Sequence, residues 1–170
     1  FQIIRLAPGY SSASSCMVLE VEDTRFGHQG AMLMADCGVI PNPTVEQLAD
    51  IAVSSGFLAR QLLGIRPRVA MLSFSTKGSA SHADVDKVTK AVEIAKQIKP
   101  DIQIDGDLQA DAALLPKVGE KKAPGSPVAG KANIVDVITA VAESEVAIDT
   151  LVSVRDRVIQ SYEEIMKMPI

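Results

Sequence analysis

Arg68 to Phe74 reads RVAMLSF, Ser75 to Ser81 reads STKGSAS, and from Asp84 to Ile98 apolar residues recur every three or four positions until Pro100. A short continuous apolar run bounded by a polar turn has the length and content of a strand buried on both faces. The periodic run predicts an amphipathic helix. Strand, polar loop and helix in that order form the repeating unit of a parallel sheet covered by helices. The pattern continues on either side. Upstream, Ser15 to Val21 (SCMVLEV) and Gly30 to Asp36 (GAMLMAD) read as strands, the second ended by Cys37-Gly38 and the turn Pro41-Asn42-Pro43. Thr44 with Gln47 three residues on has the form of a capping box. The helix it opens runs to about Leu63, with Leu48, Ile51, Ala52, Ser55, Leu58 and Ala59 on one face and Gly64 as its stop. Downstream, Ile102 to Asp105 reads as a short strand and Leu108 to Val118 as a short helix. The fold class expected is α/β, with a parallel (mixed) sheet covered by helices.

The chain of 170 residues is 47% hydrophobic and 22% charged, with a formal net charge of −4. That length suits one domain and leaves little room for two. The apolar content excludes a disordered chain. No run of about 18 uncharged apolar residues occurs, so no membrane span is expected. The acidic balance, without a Lys/Arg cluster, speaks against nucleic acid as a partner. Two cysteines and two histidines are too few for a disulfide framework or a four-ligand metal site, and reduced, cytosolic thiols are the simple reading. The chain opens at Phe1 with no basic-then-apolar leader, and reads as a fragment of something longer.

A composition break falls near residue 133. All eleven glycines and eight of nine prolines lie at or before Gly130, whereas residues 134–170 contain no helix breaker until Pro169. Residues 1–133 carry 14 basic and 14 acidic side chains; residues 134–170 carry 3 and 7. The break implies two segments: an α/β domain over 1–133, and a helical segment over 134–170. The stripe of the second runs through Ile134, Val137, Ile138, Val141, Ile148, Leu151, Val152, Val158, Ile159, Tyr162, Ile165 and Met166 at spacings of mostly three and four. As one helix it would be about 50 Å long and would need a partner face; the alternative is two shorter helices bent back on each other, though no turn residue marks where.

Several stretches carry chemistry. Ser75, Thr76, Lys77, Gly78 and Ser79 come directly after the buried strand, and the carboxyl end of a parallel strand is where ligands bind in such sheets. A lysine with hydroxyls and backbone N–H groups suits a phosphate. The order is not that of a P-loop, and an ordinary solvated turn is the competing reading. Ala123 to Asn133 (APGSPVAGKAN) could present Ser126, Gly130, Lys131 and Asn133 to an anion, or serve as a connector. Asp105, Asp107 and Asp111 suit an acid/base pair or a divalent metal, against the simpler reading of Asp105-Gly106 as a turn and Asp107 as a helix cap. Cys37 reads as a buried small residue, His28 as an exposed turn residue and His82 as a structural residue at a helix entry.

Taken together, Gln2 to Gly9 (QIIRLAPG), Met34 to Leu48 (MADCGVIPNPTVEQL), Pro67 to Ser79 (PRVAMLSFSTKGS), Asp105 to Ala113 (DGDLQADAA) and Lys122 to Asn133 (KAPGSPVAGKAN) resemble the phosphate acetyltransferases, in the family's order. The resemblance implies a partial phosphate acetyl/butyryltransferase-like domain. It implies acetyl transfer between acetyl-CoA and phosphate, giving acetyl phosphate and CoA. Coenzyme A is then a substrate, no metal or redox cofactor is needed, and a cytoplasmic homodimer is the usual state. The departures bear on the chemistry. The family's Ser-Arg-Gly motif and its following aspartate have no counterpart here, nor does its Phe-Pro-Asp strand. A Thr-x-Arg-Pro motif that precedes the residues matching Phe1 is absent as well, and Asn133 stands before Ile134-Val135 where the family has aspartate. The resemblance therefore assigns no catalytic residue and implies little or no activity.

Thr150 to Ile170 (TLVSVRDRVIQSYEEIMKMPI) resembles the closing helix of the flagellar hook–basal body protein FliE, and Gly130-Lys131-Ala132 overlaps the residues that tend to precede that helix. That resemblance implies a structural segment that packs on flagellar rod and ring subunits, and the bacterial flagellum basal body as an alternative location. A splice between two inherited pieces near 130–133 fits both likenesses.

Overall fold

The computed structural model describes residues 5–6, 10–131 and, as backbone, 136–140. Among these residues, five strands and four helices succeed one another in chain order: β1 (Cys16–Glu20), β2 (Ala31–Ala35), α1 (Val45–Leu63), β3 (Arg68–Leu72), α2 (Ala83–Ile98), β4 (Gln103–Leu108), α3 (Ala110–Leu114), α4 (Pro116–Lys122) and β5 (Asp136–Ala140). The strands build one sheet in the order β1-β2-β5-β3-β4. Strands β2, β5, β3 and β4 run parallel, and β1 pairs antiparallel with β2 through Cys16–Ala35 and Glu20–Ala31. The sheet is thus mixed, as expected.

Strand alternation divides the core into two layers. Val69 and Met71 of β3 join Leu33, Ile104 and the inner faces of α1 and α2. Ala70 and Leu72 point the other way and meet Leu108, Ala113, Ala123, Val128 and Ala129. Every residue of β3 is buried, Arg68 included, and from Val69 to Leu72 its sequence is apolar without a break. Helix α1 begins at the predicted capping box of Thr44 and Gln47 and ends on Gly64 in the left-handed conformation.

Three expected elements differ. The strand beginning near Ile102 does not turn at Asp105-Gly106 but continues to Leu108. Gly106 is there for closeness: a Cβ would sit 2.7 Å from the Met71 carbonyl oxygen and 3.0 Å from Val92 Cγ2. The helix expected over Leu108 to Val118 is two helices, because Pro116 forces Leu115 into the extended region. Residues 136–140, expected as the start of a long helix, form β5, hydrogen-bonded on both sides by β2 and β3. The run Val137-Ile138-Thr139 is β-branched, and over so few residues spacing does not separate a buried strand from a helix. The remainder of the expected helix, 141–170, lies outside the described residues.

Candidate functional site

The carboxyl ends of β3 and β4 lie side by side, so the loop leaving β3 lands on the last residues of β4. Ser73 N–H donates to the Leu108 carbonyl at 2.8 Å, and the loop then folds around its own hydroxyls. Ser75 Oγ accepts from Ala80 N at 3.2 Å, Ser79 Oγ accepts from Thr76 N at 3.0 Å, and the two hydroxyls lie 3.3 Å apart. Lys77 has φ +50° and Gly78 φ +77°, successive left-handed residues that turn the chain sharply. Asp107 holds that turn: its carbonyl accepts from Lys77 N at 3.1 Å and its Oδ2 from Gly78 N at 3.3 Å. Thr76 Oγ1 donates to Gln109 Oε1 and accepts from Gln109 N at 2.9 Å.

The side chain of Lys77 reaches back along β4. Its Nζ lies 2.6 Å from Asp105 Oδ1 and 2.9 Å from the Gly106 carbonyl oxygen. Asp105 is 4% exposed. Its other oxygen accepts from Ser126 Oγ, which in turn accepts from Val128 N and Ala129 N. Lys96 of α2 stands 3.6 Å from Asp105 Oδ1. Burial pushes this carboxyl up, but the hydrogen bonds from Lys77 and Ser126 outweigh it and hold it below the usual range. Asp105 therefore joins the two loops that the sequence singled out.

The sequence-predicted residues separate into two groups. Ser75, Thr76, Lys77, Gly78, Ser79 and Ser126 converge around Asp105 and Asp107. Gly130 and Lys131 do not. Gly130, with φ +65°, donates its N–H to Ala112 and Ala113 carbonyls and presses on Pro116 and Gly119. Lys131 is exposed, and its carbonyl accepts from Arg68 at the start of β3, the opposite edge of the sheet. Asn133 lies outside the described residues. The acidic trio does not converge either: Asp111 pairs with Lys122 at 2.8 Å, and that contact keeps its carboxyl low. No group of three His, Cys, Asp or Glu suited to a metal occurs among the described residues.

At the end of β2, Asp36 organises a second loop that sequence reasoning passed over. It accepts from Ser15 Oγ, from Ser15 N at 2.9 Å, from Gly38 N and Val39 N, both at 3.3 Å, and from Ile40 N at 2.7 Å. Partial burial pushes its carboxyl up, yet these donors bring it down to about 2. Cys37 is exposed, not buried, because it lies past the strand's last ladder position, and its Sγ donates to the Met34 carbonyl oxygen at 3.0 Å. His28 is half-buried rather than exposed, bridged to Ala31 through the backbone. His82 caps α2, its Nδ1 accepting from Asp84 N at 3.1 Å, the structural place expected of it.

The arrangement gathers hydroxyls, the buried carboxylates of Asp105 and Asp107 and the ammonium groups of Lys77 and Lys96 at the carboxyl ends of β3 and β4, the end of a parallel sheet at which ligands bind. The sequence matches the phosphate acetyl/butaryl transferase family over residues 1–138, and the chain belongs to that family. It is 60% identical over 134 residues to the phosphate acetyltransferase of Thermoanaerobacterium thermosaccharolyticum, covering 79% of this chain and 41% of that one. It is 52% identical over 133 residues to that of Clostridium acetobutylicum, covering 78% and 40%. The fold superposes on the EutD phosphotransacetylase from Staphylococcus aureus with a TM-score of 0.71 at 42% identity, over 81% of this chain and 40% of that one. The chain thus spans about two-fifths of the length of these relatives. Residues 120–170 also match the flagellar hook-basal body complex protein FliE family.

Proposed function

We propose that the chain is a phosphate acetyltransferase-like fragment that binds the phosphate end of acetyl phosphate, or phosphate itself, and turns over little or not at all. The observation that carries this reading is the convergence of Ser75 to Ser79 and Ser126 on one edge of a parallel sheet in a member of the family. Acetyl transfer between coenzyme A and phosphate needs fixed positive charge where negative charge develops. The sequence has no Ser-Arg-Gly. Among the described residues, Arg25 and Arg60 are engaged with Asp23 and Asp101, Arg68 is held at the amino end of β3, and Arg5 and Arg66 are exposed, Arg66 just before β3 and so at the end of the strand away from the loop. Acetyl-CoA and phosphate are the proposed partners, and the cytoplasm the proposed location. The test is an assay of CoA-dependent acetyl phosphate synthesis alongside titration with acetyl phosphate. Saturable binding with turnover at background is expected; turnover comparable to an intact relative would overturn the reading.

A second reading is favoured by the match of residues 120–170. In it the working part is the C-terminal segment, which packs on flagellar rod or ring subunits, with the basal body as its location. The full chain, immobilised, should then retain purified rod subunits, and a chain with Leu151, Val152, Val158 and Ile159 changed to serine should not. Equal retention by both chains would remove this reading.

A further inference from the structure

We propose that Asp105 is an internal competitor for Lys77, and that an anionic ligand takes Lys77 by exchange, with Lys96 replacing it on Asp105. The proposal rests on the reading of the Ser75–Ser79 loop as a phosphate site, and adds the factor that sets its affinity. The loop's only lysine is committed elsewhere: Nζ sits 2.6 Å from Asp105 Oδ1, and its side chain is 36% exposed. A phosphate must therefore outbid that charge-assisted hydrogen bond together with the one Nζ gives to the Gly106 carbonyl oxygen at 2.9 Å. Three features make the exchange feasible. The loop backbone is fixed by Asp107 through Lys77 N and Gly78 N, so Nζ can leave without loosening the turn. Ser126 stays on Oδ2, so Asp105 is never without a donor. Lys96 waits at 3.6 Å on the same Oδ1, half exposed and able to close the last fraction of an ångström. A buried carboxylate left with one neutral donor would be costly, and Lys96 prevents that. The net result is a site whose affinity is lowered by its own scaffold and whose ligand must carry full negative charge.

The experiment is titration of the full chain with acetyl phosphate at physiological salt, wild type beside four variants. Lys77→Ala should weaken binding about tenfold, and Asp105→Asn should tighten it about fivefold, because the neutral amide removes the charge that holds Lys77 and leaves it the Gly106 carbonyl oxygen as its charge-free partner. Lys96→Met should weaken it about two- to threefold, and Lys90→Met, the same charge loss on the same helix away from Asp105, should not. If Lys77→Ala weakens binding while Asp105→Asn and Lys96→Met leave it unchanged, the exchange is wrong and the phosphate site stands. If Lys77→Ala leaves binding unchanged, or the wild type does not bind, the site reading falls and the exchange with it. Should Asp105→Asn fail to fold, the contrast between Lys96→Met and Lys90→Met decides alone: equal values overturn the exchange.

Discussion

The carboxylate of Asp36 collects four backbone N–H groups and the Ser15 hydroxyl, tying the entry to β1 to the exit from β2. A carboxylate so placed is stabilised ionised, and its value of about 2 against 3.8 makes folding depend on pH. The unfolded chain binds the proton first as pH falls. The contribution is therefore complete above about pH 4 and disappears as pH drops toward 2. Asp36→Asn should cost about 1–2 kcal/mol near neutrality, a figure reduced for the solvent at its rim. The gap to wild type should close by about pH 2, and urea unfolding at a series of pH values measures it. At this scale the sequence was legible where a residue type names its own job: Thr44, Gln47 and Gly64 all stand where helix signals put them. It was not legible for Asp36 or Asp105. Their partners, Ser15 and Lys77, lie 21 and 28 residues away, and only the sheet brings them together.

Elements were legible where length or punctuation decided them, as in α1, α2 and β3. The failures share a cause: a residue with two meanings. Glycine marks turns, but it also marks places where two backbones approach closely, and Gly106 is of the second kind. The consequence is measurable. Gly106→Ala puts a methyl against the Met71 backbone, which cannot rotate away, and should cost about 2–3 kcal/mol in urea unfolding. Gly78→Ala is the contrast. Its Cβ would meet nothing within 4 Å, so only the left-handed φ of +77° counts, at about 1–2 kcal/mol. Equal costs at the two sites would show that crowding around β4 is less than the distances imply. Proline likewise has two meanings: Pro116 ends α3 and begins α4 at a single position.

At the scale of the molecule, the composition break near 133 and the sheet do not divide the chain at the same place. Glycine stops at Gly130, and similarity to the transferases extends to 138. The sheet needs 136–140, because β5 lies between β2 and β3, which share no ladder of their own among the described residues. A segment that reads by composition as an appendage thus supplies the central strand of the domain. The position of β5 gives a prediction on the intact chain. In a central strand every N–H is directed at one neighbour or the other, so a proline removes a ladder bond and forces the ring against the adjoining strand. Ile138→Pro, opposite Met34 on one side and Ala70 on the other, should therefore cost more than about 3 kcal/mol. Marginal stability makes that a large share of the whole. In a chain of this size it lowers the melting temperature by roughly 10 °C or removes the cooperative transition, as circular dichroism would record. The candidate site should loosen with it, since β3 and β4 would lose the strand that fixes them to the rest of the sheet. A melting curve unchanged by this proline would mean that residues 136–140 do not hold the sheet together, and that the α/β layer closes without them.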